Sequence, residues 1–549
     1  MNAPYAALKT WRESGPILAP PGRPLLVIGL VVIVGLAIAT LPISWAVTLT
    51  LAAGALLLIA LRPIFGLYLL VLAIPFGSLK EINLGVLNIG GAEAVAALAV
   101  SAWVLGMLAR REVRTPRTAL LVPILLLLAV LSFSVLGALS LQWSIKGLLV
   151  WLELAAIYLL VVTMVKPRQA RLLVVLILAA GCVEASLGIY QFFGRVGPEG
   201  FVLFDRFMRA YGTFQQPNPF GGYLVLILPL SMTMVMTRLN PRDSWAWLLA
   251  LLGALSLALM GAALVMSWSR GAWLAFGSAV AVVAFGGACT RAFSEIKGGM
   301  LAGAAGGMLG LWWSFAPSVQ SLPAVALGVF TGVGVGVLAF ISLRRRWLWA
   351  LAMLVLLLGV MLIALGGPGL LPESVAQRFS DFLPYLQPTD VTGVHVTDEN
   401  FAVVERLAHW EAALRMINHH PLLGVGIGNY VPVYPAYAVP GWKDPLGHAH
   451  NYYLNVAAEG GLLGLGAYML FLGASFHQAW FATRRSMGFN QAVALGVLGV
   501  LAAFAVHSLF DNLYVHGMNM HLAMMLGLLS LVLRGQGKPL VKAAGFDSG

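Results

Sequence analysis

The chain has 549 residues, 60% of them hydrophobic and only 10% charged, with a mean hydropathy of +0.89. That composition excludes a water-soluble protein, because runs of about 20 apolar residues, the length that spans a bilayer as a helix, fill most of the sequence. The net charge of +12 is then a matter of membrane topology, and no nucleic-acid partner need be invoked.

In chain order, apolar runs predict spans at 25–41, 43–61, 64–76, 92–110, 118–138, 145–165, 171–193, 219–237, 245–266 and 271–289. Further runs follow at 298–316, 322–342, 347–366, 451–479, 490–510 and 516–534. The expected fold is an all-α polytopic membrane protein of about 14–16 transmembrane helices. The first twenty residues hold Lys9, Arg12 and three prolines but no apolar core, so no cleavable signal peptide is expected. If both termini are inside, one set of loops collects Arg110, Arg111, Arg114, Arg117, Arg344, Arg345, Arg346, Arg484, Arg485 and most other basic residues. The positive-inside rule therefore puts the termini in the cytoplasm and the long 367–450 segment outside. The organisation expected is an N-terminal set of helices over 1–366, an extracytoplasmic loop domain over 367–450, and C-terminal helices with a cytoplasmic tail over 451–549. Cys182 and Cys289 each fall inside a span, without metal-ligand spacing or a disulfide role.

Within the outer loop, Glu399 to His419 carries Val403, Leu407, Trp410, Leu414 and Ile417 at helical spacing. Thr397 or Asp398 can cap this helix and Pro421 ends it. Its apolar stripe is expected to face the membrane domain or the interface, with Glu405, Arg406 and His409 on other faces. Pro421 to Tyr430 follows, with glycines at 424, 426 and 428, and reads either as a tight turn or as a backbone contact to a ligand.

The most informative stretch runs from Gly447 to Gly461, where His450 sits at the entrance to an apolar span and Glu459 follows nine residues later. A histidine titrates near neutral pH, so His450 reads either as a hydrogen-bonded residue at a helix start or as a proton acceptor. Asn451 can cap the helix or hold a ligand hydroxyl, and Tyr452 and Tyr453 suit an interfacial belt or a sugar platform. Arg270, squeezed between two spans, is read as an anion-binding group against the alternative of a snorkelling side chain. Arg209, Gln216 and Asn218 belong to an outer segment whose two flanking prolines suggest a rigid turn, either structural or touching substrate. Glu153 and Glu184 are intramembrane acids, functional suspects that can equally pair across helices. His507, Asp511, Asn512 and His516 cluster at the last outer turn, but their spacing fits no familiar metal pattern and no Asp-x-Asp stands near the outer face. No metal and no other cofactor is expected.

Taken in order, Thr213–Pro219, Ser267–Trp273, Arg406–Leu414, His420–Asn429, His450–Leu454 with Glu459-Gly460, and His507–Asn512 resemble the O-antigen ligase family of polytopic inner-membrane proteins. The resemblance covers about 200–530. It implies transfer of a glycan from a polyprenyl (undecaprenyl) diphosphate carrier to a glycan or lipid-glycan acceptor hydroxyl, on the periplasmic side of the inner membrane. It further implies that His450 is the catalytic base and that Arg270 and Arg406 bind the diphosphate; Asn451, Asn218, Gln216, Arg209 and Glu459 are read from the sequence as substrate contacts. A polysaccharide polymerase of the same family would use the same chemistry. From another class, a lipid-glycan flippase or transporter also has many spans, but its polar groups are expected at midplane rather than crowded at the outer face.

Overall fold

The computed structural model describes residues 42–79, 81–111, 116, 118–203, 207–236, 243–290, 391–397 and 400–534, with 29, 32 and 35. The spans predicted at 298–316, 322–342 and 347–366, and nearly all of 25–41, lie outside the described residues. The fold is an all-α polytopic membrane protein. Among the described residues nine helices are long and apolar enough to cross a membrane, and three shorter apolar helices accompany them.

The N-terminal half contains α1 (Ile43–Leu61), α2 (Ile64–Phe76), α3 (Gly91–Ala109), α4 (Leu121–Ser134), α5 (Leu141–Met164) and α6 (Pro167–Gly194). Then come α7 (Pro217–Val225), α8 (Leu228–Met236), α9 (Ser244–Met266) and α10 (Arg270–Thr290). The segment before the next long helix contributes α11 (Phe401–His419) and α12 (Tyr430–Tyr437), and then come α13 (Tyr452–Arg485), α14 (Gly488–His507) and α15 (Met518–Arg534). The bundle is built on α10 against α14, α6 against α9, α5 against α15 and α4 against α13. Every residue of α8 is buried, as is nearly all of α14 and α15, which is why these helices are apolar all round rather than along one stripe. The peripheral helices instead expose large apolar side chains such as Leu51, Leu105, Leu251 and Phe285 to the lipid zone.

The span expected at 219–237 is present as Pro217–Met236, one of the nine, and is built of two helical segments, α7 and α8. Pro229 has no N–H to donate, so Leu226 and Ile227 instead donate to the carbonyls of Tyr223 and Leu224 at 3.2 and 3.1 Å, tightening the chain between α7 and α8. Two short antiparallel strand pairs occupy segments where only loops were expected: β1 (Ile82–Leu84) with β2 (Leu87–Ile89), and β3 (Val202–Leu203) with β4 (Phe207–Met208). The first closes through Gly85 at φ 69°, the positive angle that a two-residue hairpin demands.

The segment that carries α11 and α12 is joined to α13 through the backbone. α13 is interrupted at Gly461 (φ 66°, ψ −170°), where a Cβ would collide with the carbonyl of Leu422. A continuous helix would pair the carbonyls of Ala458 and Glu459 with the N–H groups of Leu462 and Leu463. Those four groups bond to the loop instead: Val425 and Gly426 donate to Ala458 and Glu459 at 2.8 and 2.9 Å, while Leu462 and Leu463 donate to Pro421 and Leu422 at 2.8 and 3.3 Å. The glycine-rich stretch is therefore a turn inserted into a helix break. Asn429 fastens its far end, accepting from Ser140 N at 2.7 Å and donating to Ser144 Oγ at 2.8 Å.

The predicted amphipathic helix is present as α11, but its buried face is not the one expected. Val404, Ala408, His409, Ala412, Ala413 and Met416 are buried, whereas Leu414 is 48% exposed and Val403, Leu407, Trp410 and Ile417 are only half-buried. Alanines let α11 approach α13 closely, and that proximity outweighs the larger but bulkier apolar stripe. Residues 398 and 399 lie outside the described residues; Thr397 accepts the Phe401 N–H through its carbonyl at 2.8 Å, and Asn400 stands at the N-cap without a side-chain cap.

Candidate active site

Two turns at one end of the bundle meet around His450. The first precedes α13: Asn451 caps that helix, its Oδ1 accepting from Tyr453 N at 3.1 Å and Leu454 N at 3.2 Å, and Asn455 Oδ1 accepts from Ala449 N at 3.1 Å. The second follows α14 and carries His507 and Asp511. Tyr452 N donates to Ser508 O at 2.7 Å and ties the two together. Tyr452 stacks on Tyr514 with ring centroids 4.4 Å apart, and the Tyr453 hydroxyl donates to Ala505 O, so both tyrosines brace these turns.

His450 adopts φ 52°, a left-handed conformation that costs roughly 1–3 kcal/mol and is retained where surrounding structure enforces it. Its side chain is 16% exposed, and among the described residues neither ring nitrogen has a hydrogen-bond partner. Nδ1 lies 3.9 Å from Asp511 Oδ1, and the same oxygen accepts from His448 Nε2 at 2.9 Å and from Asn512 N at 2.9 Å. The His448 and His409 rings flank His450 with centroids 4.4 and 5.5 Å away. Burial, then His448, and further the Arg406 guanidinium and His409, outweigh the attraction of Asp511 and push the His450 imidazole down to about 3. These surroundings favour the neutral imidazole near pH 7. Burial opposes the Asp511 carboxylate, yet the hydrogen bond and charge of His448 hold its carboxyl well below the usual range.

Arg406 is half-buried on α11, where Nη1 donates to Ala402 O at 2.7 Å and Nε is buried without a partner among the described residues. Its charge acts on His450, so these two are brought together. Arg270 opens α10, directly after a turn in which buried Trp268 takes φ 53°. A Cβ on its neighbour Gly271 would stand 3.3 Å from Phe510, which places the first turn of α10 against the residue before Asp511. Arg209 donates to Ser267 O at 2.9 Å and to Asn218 Oδ1 at 3.1 Å, bracing that turn from the 207–219 segment. Gln216 is exposed at the N-cap of α7.

Glu459 is turned inward. It is 7% exposed, and its carboxylate accepts from Tyr430 N at 3.1 Å, supporting the inserted turn. Glu184 accepts from Thr213 N and Oγ1 at 3.1 and 3.0 Å, and Glu153 from Asn519 Nδ2 at 3.0 Å, so both intramembrane acids pair between elements.

Two site residues escaped the sequence reading. His448 was not singled out, and His409 was placed away from the packed face of α11. His409 is in fact 1% exposed, with Nδ1 3.0 Å from the Tyr430 hydroxyl, and stacks on Tyr434 at 4.8 Å. The Tyr430 hydroxyl donates to the His409 carbonyl at 3.2 Å, so Nδ1–H is the ring donor and Nε2 keeps its lone pair. Burial, then His448, against a weaker pull from Asp444, push His409 down to about 4. The signal available in the sequence was the stripe Val404, Ala408, His409, Ala412, Ala413 and Met416, rich in small residues.

No curated protein matches the chain. The stretch matched by a family model, 321–469, contains Arg406, His450 and Glu459 but neither Arg270 nor Asp511. That model is the O-antigen ligase, and its match supports assigning this multi-pass membrane protein to the O-antigen ligase family.

Proposed function

We propose that the protein transfers a glycan from a polyprenyl diphosphate carrier to an acceptor hydroxyl at the outer face of the inner membrane, with both chain termini cytoplasmic. The observation that carries this reading is the His450 ring: both its nitrogens are buried without a hydrogen-bond partner among the described residues, and Nδ1 lies 3.9 Å from the Asp511 carboxylate, in surroundings that favour the neutral imidazole.

A proton acceptor must first be unprotonated, and the surroundings of His450 ensure that. They also make it a weak base until substrate arrives. A bound diphosphate brings negative charge that offsets the Arg406 guanidinium and raises the affinity of the ring for a proton. With Nδ1 facing Asp511, Nε2 takes the proton of the acceptor hydroxyl. The imidazolium so formed stands 3.9 Å from the carboxylate, an attraction worth about 4 kcal/mol at an effective dielectric near 20. As the acceptor oxygen bonds to the anomeric carbon, the bond from that carbon to the diphosphate oxygen breaks. Its electron pair leaves with the diphosphate, which needs positive charge rather than a proton. Arg406 and Arg270 supply that charge in this reading, and guanidinium forks suit phosphate oxygens. Attack opposite the leaving group inverts the anomeric centre, with no catalytic metal required.

The test is purified protein in detergent with a polyprenyl-diphosphate glycan and candidate acceptors, beside a His450→Ala variant that melts like wild type. Transfer should fall about 100- to 10,000-fold in the variant. Undiminished transfer refutes the role of His450, and absence of transfer by wild type with any acceptor, alongside carrier movement in vesicles, favours transport. Products that form a ladder from one lipid-linked repeat unit alone identify a polymerase, and a single addition to a separate acceptor identifies a ligase.

A further inference from the structure

We propose that His448, His450 and Asp511 bind a divalent transition-metal ion, with Zn²⁺ as the type case, and that the bound ion blocks transfer. The blocking half rests on the base role given to His450; the binding half does not.

One donor atom from each of the three residues lies within 4.8 Å of the other two. A tetrahedral Zn²⁺ site, with bonds of about 2.0–2.2 Å, holds its donor atoms about 3.3–3.5 Å apart. The separations of Asp511 Oδ1 from His448 Nε2, 2.9 Å, and from His450 Nδ1, 3.9 Å, bracket that value. Side-chain shifts of about half an ångström complete the geometry. The ion would take the place of the proton between His448 and Asp511 and would give His450 Nδ1 the partner it lacks among the described residues.

The donors are also held before any ion arrives. Asn512 N donates to Asp511 Oδ1 at 2.9 Å, and the Tyr452–Ser508 backbone bond fixes one ligand turn against the other. Two imidazoles and one carboxylate select Zn²⁺, Co²⁺, Ni²⁺ or Cu²⁺ over Mg²⁺ and Ca²⁺, which take oxygen ligands. Three protein donors leave a fourth position for water or a phosphate oxygen. The nearby Arg406 charge opposes the cation, so binding is reversible and weaker than in a closed structural site.

Blocking follows from the imidazole itself. A neutral ring bound to metal through Nδ1 carries its proton on Nε2, which then has no lone pair to accept a proton from the acceptor hydroxyl.

The experiment uses full-length, tag-free protein stripped with chelator. Co²⁺ should produce the visible absorption of a tetrahedral site, displaced by Zn²⁺ and not by Mg²⁺. His448→Gln and Asp511→Asn should each weaken Zn²⁺ binding tenfold or more while the proteins still melt cooperatively. Transfer by wild type should fall with the same Zn²⁺ midpoint as the optical titration. Absence of saturable binding, or binding unchanged in both variants, overturns the site. Full or increased transfer at saturating Zn²⁺ overturns the blocking. Because the spectra need no turnover, a protein that fails to transfer at all refutes the base reading without touching the metal result.

Discussion

Replacing Gly461 with alanine tests the joint between the 421–426 segment and α13. If the break is kept, alanine must occupy φ 66° and ψ −170°, at roughly 1–3 kcal/mol of backbone strain, with its Cβ against the Leu422 carbonyl. If α13 straightens instead, it regains two helical hydrogen bonds. The carbonyls of Pro421 and Leu422 and the N–H groups of Val425 and Gly426 then lose their partners, each such loss costing roughly 1–3 kcal/mol if the group stays buried. Either route destabilises by roughly 3 kcal/mol or more. The assay is heat-induced unfolding of the detergent-purified protein followed by tryptophan fluorescence. Gly466→Ala, five residues on in the same helix, is the control, because a Cβ there meets nothing within 4 Å. Gly466→Ala should hold or raise the melting temperature by removing a flexible helical glycine, worth up to about 1 kcal/mol. A Gly461→Ala protein as stable as wild type refutes the inserted-turn account.

Three further outcomes are expected. Arg406→Met should lower transfer about 100-fold or more, with Arg406→Lys recovering only part, because a point charge cannot fork onto two phosphate oxygens; initial rates at saturating donor check this. Glu459→Ala should destabilise by roughly 1–3 kcal/mol in the same melting assay, leaving the Tyr430 N–H buried and unpaired, whereas Glu459→Gln, which keeps an acceptor, should cost less. His409 has a folded value of about 4 against 6.5 unfolded, so its contribution is complete above pH 6.5 and is lost as pH falls toward 4, a change of roughly 3 kcal/mol. His409→Gln should flatten the fall in melting temperature over that window.

Hydropathy carried most of the architecture, because a helix in lipid must satisfy its own backbone and its side chains must be apolar. Close packing was harder to read. The Val403–Leu407–Trp410 stripe dominates any hydrophobic count on α11, yet the helix is buried through alanines and His409, since nearness of backbones favours small residues. Residues 447–461 stood out in the sequence through His450 and Glu459, but the direction in which Glu459 points did not. The glycines at 424, 426 and 428 marked a turn, while its partner, the break at Gly461, is a long-range pairing that no local pattern encodes. His448 and Asp511 are 63 residues apart and meet only because Tyr452 and Ser508 join their turns.

The interleaving of the 421–426 segment with α13 also limits how this face can move. α11, with Arg406 and His409, cannot swing aside as a flap on an easy hinge, since releasing it breaks four backbone hydrogen bonds worth about 2–6 kcal/mol in all. In the proposed reaction a carrier anchored by its own hydrocarbon tail has no need of such a door. It would reach His450 sideways from the bilayer, beneath a roof that stays in place.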